Sequence, residues 1–133
     1  MKTVSATIGI QLYKTEIQAK NHIITADEPE SVGGQNLGFT PTELLESSLA
    51  ACSAMTIRMY ADRKGWGLQK VIVDVGFKRN LSTQTVTFRK EIELIGNLDS
   101  EQRQRLLEMG ANCPIEKMLK GEIKIESQLK IEP

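Results

Sequence analysis

Thr40-Pro41-Thr42-Glu43-Leu44-Leu45-Glu46-Ser47-Ser48-Leu49-Ala50-Ala51-Cys52-Ser53-Ala54-Met55-Thr56-Ile57-Arg58-Met59-Tyr60-Ala61-Asp62-Arg63-Lys64-Gly65 carries a helix start at one end and a helix stop at the other. Thr40 can cap, Pro41 suits the first helical position, and Glu43 completes a capping box with Thr40. At the far end Arg63 and Lys64 lie where cations favour the negative helix terminus, and Gly65 is a left-handed stop. Between Leu44 and Ile57 the only charged residue is Glu46. Leu45, Leu49, Cys52, Met55, Thr56 and Met59 read as one stripe, with Ala50, Ala51 and Ala54 on neighbouring faces. A helix apolar on most sides is expected to be buried on most sides. In a chain of this size a second subunit is the easiest supplier of that cover.

Upstream, Val4, Ala6, Ile8, Ile10 and Leu12 alternate with Ser5, Thr7, Gly9 and Gln11, which predicts a half-buried strand. Ile17 to Thr25 predicts one or two further strands turning near Lys20-Asn21. Asp27 to Gly38 is a loop without period. Its Gly33-Gly34 to Gly38 spacing is not that of a phosphate cradle, and no lysine closes it.

Downstream, Val71, Val73, Val75 and Phe77 alternate, as do Val86, Phe88, Ile92 and Leu94 after a turn at Arg79 to Ser82. The pair predicts an antiparallel hairpin. Asp99 with Gln102 opens a second helix that closes at Gly110. Cys113-Pro114 opens a short third helix ending at Gly121, with Cys113 at its cap. Ile123, Ile125, Leu129 and Ile131 alternate in a final strand. The order β-β-(β)-α-β-β-α-α-β predicts an α+β fold with antiparallel sheet. No linker or repeat divides residues 1–133, which read as a single domain.

The balance of the chain narrows its function. It has 133 residues, 40% of them apolar, with 17 basic and 17 acidic side chains. Zero formal charge leaves no electrostatic footprint for nucleic acid or an anionic membrane. No apolar run reaches the length of a membrane span, and Lys2-Thr3-Val4-Ser5 holds no signal-peptide core. A cytoplasmic protein is expected. Cys52, Cys113 and His22 are one group short of a closed zinc site. Two cysteines roughly sixty positions apart suit free thiols, a redox pair or a nucleophile better than a structural staple.

Cys52 reads either as a small core residue or as a thiol activated by donors that reach it. Cys113 reads either as an ordinary cap-position residue or as a thiol favoured as thiolate at a helix start. Glu43 is accounted for by the capping box. Its functional alternative is a carboxylate at the mouth of the Cys52 helix, about 13 Å from the thiol at ~1.5 Å per residue. His22 reads as a strand-end histidine, and Phe39, Tyr60 and Trp66 as core or interface residues.

The stretch from Thr40 to Thr56 resembles the P-x-E-L-L…A-x-C-x-A-x-T signature of the OsmC/Ohr family, the osmotically inducible and organic hydroperoxide resistance proteins. Ala111-Asn112-Cys113-Pro114 resembles the family's second cysteine motif. The loop Asp27-Glu28-Pro29 to Gly33-Gly34, with Met59 to Trp66, is similar to an OsmC-like subgroup. The resemblance covers essentially the whole chain. It implies an intertwined homodimer in which small sheets wrap two central helices. It implies a thiol-dependent peroxidase with no metal or organic cofactor. Cys52 would be the nucleophile, Cys113 the resolving thiol and Glu43 the site carboxylate. The substrate would be an organic hydroperoxide and the reductant a lipoyl-type dithiol. The family's peroxidases also carry an arginine upstream of the first cysteine, paired with a glutamate. No arginine precedes Arg58 here, and Arg58 falls roughly 240° round the helix from Cys52 at ~3.6 residues per turn. Lys14 and Lys20 could stand in only as point charges. The departure keeps a second expectation open: a non-peroxidatic OsmC-like dimer that binds a small apolar or thiol-reactive ligand.

Overall fold

The structure is a computed structural model that describes residues 3–130. Its elements run β1 (Ser5–Ile8), β2 (Thr15–Ala19), β3 (His22–Ala26), a 3-10 turn (Glu30–Val32), α1 (Pro41–Lys64), β4 (Gly67–Asn80), β5 (Thr85–Asn97), α2 (Ser100–Gly110) and α3 (Pro114–Lys120). The fold is α+β. One antiparallel sheet has the order β1-β2-β3, and a second consists of β4 and β5. The chain forms two compact units that meet in sequence between Ser47 and Ser48, inside α1.

In the unit up to Ser47, β1 is shorter than its letters suggest. Its ladder runs from Ser5↔Gln18 to Ile8↔Thr15, and β2 begins at Thr15. Beyond Ile8 no strand among the described residues is left to pair with, so the alternation at Ile10 and Leu12 builds no ladder and Ile10 is fully exposed. The β2–β3 turn falls at Lys20, in the left-handed region at φ 56°. The loop after β3 is organised by the buried carboxylate of Asp27. It accepts the amides of Tyr13 (3.1 Å), Glu28 (2.8 Å), Gln35 (3.2 Å) and Leu37 (3.2 Å). The helix start is the expected one. Thr40 Oγ1 accepts from the Glu43 amide at 3.2 Å, and the Glu43 carboxylate accepts from the Thr40 amide at 2.9 Å.

In the unit from Ser48, α1 stops at Gly65, whose φ is 68°. The face it buries differs from the predicted stripe. Leu49 is buried, but Met55 and Met59 are exposed at 64% and 53%. The covered positions are Leu49, Ser53, Ile57 and Ala61, four residues apart. What selects this face is the partner surface. Ile57 and Ala61 pack with Leu68 of β4 and Leu106 of α2, and Trp66, Val71, Ile92, Leu94 and Leu98 close round them. Within one chain the helix is therefore buried on one side, not on most.

The hairpin is longer than predicted, pairing from Gly67↔Asn97 to Asn80↔Thr85. Asn80 holds its turn by accepting the amides of Ser82 (3.0 Å) and Thr83 (3.3 Å). Asp99 caps α2 with a full capping box to Gln102. The predicted last strand does not form. The described residues after Gly121 are irregular, and Ile123, Ile125 and Leu129 are exposed. A strand needs a neighbour for its N–H and C=O groups, and no described strand pairs with this segment. Ile131 lies outside the described residues.

Candidate active site

The four-residue spacing on α1 puts Ser53 at full burial, and Cys52 beside it is half-buried. Across from them α2 ends at Gly110, and Ala111 and Asn112 lead to Cys113. Cys113 caps α3 in an extended conformation (φ −70°, ψ 158°) ahead of Pro114, and it is fully buried. The fold thus brings the two distant thiols together. Cys52 and Cys113 are near enough to influence each other electrostatically, and the amide of Ile115, two residues after Cys113, points at Cys52 Sγ from 3.5 Å.

A cation reaches this cluster from β5. Lys90 Nζ donates to Ser53 Oγ, to the Gly110 carbonyl and to Glu116 Oε1, each at 2.6 Å. Those three bonds use all three protons of an ammonium. Ser53 Oγ lies 2.9 Å from the Gly110 carbonyl and 3.5 Å from Cys113 Sγ. Glu116 is held on its other oxygen by Lys120 at 2.8 Å. Lys90 and Glu116 are 12% and 14% exposed, so the pair is largely withdrawn from water.

Other predicted residues are engaged locally or exposed. The Glu43 carboxylate is engaged at the α1 cap. Arg58 is bound along its own helix to Asp62, through Nη2 at 2.7 Å and Nε at 3.1 Å. Lys14, Lys20 and His22 are exposed, on or beside the β1-β2-β3 sheet. Tyr60 and Trp66 meet edge to face at 5.6 Å beside the core, while Phe39 is exposed. Among the described residues no group of His, Cys, Asp and Glu is arranged to hold a metal ion, and no helix is long and apolar enough to cross a membrane.

Both cysteines lie within the span that a known family matches. The family of OsmC-like proteins matches residues 33–128. This chain belongs to the OsmC-like family. No curated protein matches its sequence. Among solved structures, an OsmC-like protein of Mycoplasma pneumoniae aligns with a TM-score of 0.75 at 22% identity, over 91% of this chain and 89% of that one. A protein of Psychrobacter arcticus described under osmotic stress induction and detoxification response gives 0.76 at 24%, over 89% and 88%. The organic hydroperoxide resistance protein OhrB of Bacillus subtilis gives 0.60 at 19%, over 96% of each chain. At these identities the likeness is one of fold.

In this OsmC-like chain the surroundings of Cys113 favour its thiolate. Burial pushes the Cys113 thiol up, but hydrogen bonds from Ser53, from the Glu116 amide and from Cys52, with the charge of Lys90, hold it below its ordinary value of 9.0. Burial likewise opposes ionisation of Glu116, and Lys120 and Lys90 together hold its carboxyl below 4.5. The arrangement offers one buried sulfur stabilised as thiolate, near one sulfur that solvent reaches.

Sequence reading missed Ser53, Lys90 and Glu116. Signals for two of them exist. Lys90 shares the period-two register of Phe88, Ile92 and Leu94, the covered face of β5, and Ser53 shares the four-residue register of Leu49, Ile57 and Ala61.

Proposed function

We propose that this protein is a thiol-dependent peroxidase that reduces organic hydroperoxides. The observation that carries the reading is the nearness of Cys52 to Cys113, held by two elements far apart in sequence. Cys52, the accessible sulfur, attacks the distal oxygen of the hydroperoxide, releasing the alcohol and leaving a sulfenic acid. Cys113 condenses with that sulfenic acid, releasing water and forming a disulfide before over-oxidation. A lipoyl-type dithiol then restores both thiols by exchange. Family membership supports this, as do structural neighbours described as organic hydroperoxide resistance proteins, from Legionella pneumophila and Bacillus subtilis. Glu43 keeps the helix cap in this scheme.

The working unit in this reading is a homodimer. Met55 and Met59 on α1 and the unpaired Ile123, Ile125 and Leu129 leave more apolar surface than a soluble monomer usually shows. Sedimentation at micromolar concentration is expected to give a dimer, and a stable folded monomer would refute that assembly.

The deciding experiment is turnover of cumene hydroperoxide with dihydrolipoamide by wild type and Cys52→Ser. Wild type is expected to turn over and Cys52→Ser to be inactive. One equivalent of hydroperoxide should convert wild type to an intramolecular disulfide, seen by mass spectrometry as the loss of two hydrogens. Cys113→Ser should accumulate sulfenic and then sulfinic acid on Cys52. If both thiols of wild type stay reduced under excess hydroperoxide, the scaffold is a dimer that binds a small apolar or thiol-reactive ligand.

A further inference from the structure

Lys90 has no proton to spare for sulfur. Its three N–H bonds go to Ser53 Oγ, the Gly110 carbonyl and Glu116, so its influence on Cys113 passes through the groups it holds. The most direct route is Ser53. Because Ser53 Oγ accepts from Lys90, its own proton must go to the Gly110 carbonyl or to Cys113 Sγ. The Gly110 carbonyl is already served by Lys90 at 2.6 Å, so the Ser53 proton can turn to Cys113 Sγ, where it joins the Glu116 amide as a donor. Polarised by the ammonium, the hydroxyl is a stronger donor than an ordinary serine. The titratable and charged groups around Cys113 are Lys90 from β5, Glu116 from α3 and the Cys52 thiol from α1, with Lys120 bound to the far oxygen of Glu116.

Accessibility fixes which sulfur such a donor serves. Cys113 is fully buried, whereas Cys52 is half-buried. An incoming dithiol therefore reaches Cys52 in the oxidised protein, and Cys113 is the sulfur that leaves. We propose that Lys90 is a positioning residue which, through Ser53 Oγ, stabilises Cys113 as the thiolate leaving group when a dithiol reduces the Cys52–Cys113 disulfide. This rests on the reading that the two cysteines form a redox pair. In the step itself a dithiol thiolate attacks Cys52 Sγ, the S–S bond breaks, and its electron pair goes to Cys113 Sγ. The second thiol of the reductant, as thiolate, then attacks the mixed disulfide. It closes the reductant's ring and releases Cys52 as a thiolate, which takes a proton from solvent. Lower basicity of the leaving sulfur speeds this exchange, and a stabilised reduced form makes the disulfide the stronger oxidant.

The test forms the disulfide with diamide rather than a hydroperoxide, so that it stands apart from peroxidase activity. The reduction potential is measured against glutathione, and the rate of reduction by dihydrolipoamide is followed by stopped flow. Lys90→Met is expected to slow reduction about tenfold and to shift the equilibrium tenfold toward the disulfide, which is about 30 mV for this two-electron couple. Lys90→Arg, which keeps the charge, should recover most of both effects. Arg89→Met, one residue away on the exposed face of β5, should change neither. Should Lys90→Met not fold, Ser53→Ala carries the test, with the same direction expected in both readouts. An unchanged potential and rate in the folded variant would overturn the proposal. Failure of diamide to close the disulfide in wild type would instead overturn the redox pair itself.

Discussion

Replacing Glu116 by glutamine removes the counter-charge of Lys90 while keeping shape. Removing one partner of a buried ion pair costs about 3–5 kcal/mol. At 12% and 14% exposure the pair belongs at the lower end, about 3 kcal/mol. The glutamine oxygen can still accept from Lys90, returning about 1 kcal/mol. Lys120 is 71% exposed, and its i,i+4 share of the network adds only about 0.3–0.5 kcal/mol. The expected loss is about 2–3 kcal/mol, read by urea unfolding as a midpoint about 1–2 M lower. The pH dependence carries a sign that can be checked. The folded carboxyl lies below its ordinary value, so its contribution is complete above the ordinary carboxylate range and is lost as pH falls through the folded pKa. The gap between wild type and Glu116→Gln should therefore be constant through neutral pH and close in acid. A neutral-pH gap under about 0.5 kcal/mol, the usual size for a surface substitution, would refute the reasoning. So would a gap that persists unchanged into acid.

Leu106→Ala, at a fully buried core position, should lower unfolding free energy by about 2–5 kcal/mol in the same assay. Asp99→Ala removes the α2 capping box and should cost about 0.5–2 kcal/mol, seen as a lower thermal midpoint by circular dichroism. In Asp27, burial raises the carboxyl pKa but four backbone amides outweigh it, so the folded value is depressed. Asp27→Asn should therefore destabilise the protein at neutral pH, with a deficit that fades as acid removes the same contribution from wild type; circular dichroism across pH checks this.

Local signals were the legible ones. Thr40 with Glu43 and Asp99 with Gln102 fix helix starts through bonds made within a few residues, Pro114 after Cys113 fixes one by its locked φ, and all three helices start as read. Signals that depend on a distant surface were not legible. The buried face of α1 follows from where Leu68 and Leu106 lie, and the alternation at Ile123, Ile125 and Leu129 meets no strand to pair with. At the site the two cysteines could be named but not their cation. Lys90 stands among Arg89, Glu91 and Glu93, where a row of charges reads as a solvated edge. Only its register with Phe88 and Ile92 says otherwise, and a long amphipathic stem lets a lysine occupy such a position while its head finds partners.

The bond from the Ile115 amide to Cys52 Sγ gives the protein a spectroscopic witness. An amide proton is sensitive to the identity of its acceptor, and this acceptor is the sulfur whose bonding partner and oxidation state change in the proposed cycle. Its nitrogen–proton cross-peak should move among distinct positions for thiol, sulfenic acid and disulfide. The oxidation state of one atom can thus be followed in solution by nuclear magnetic resonance, with no label attached to the cysteine and no substitution near it.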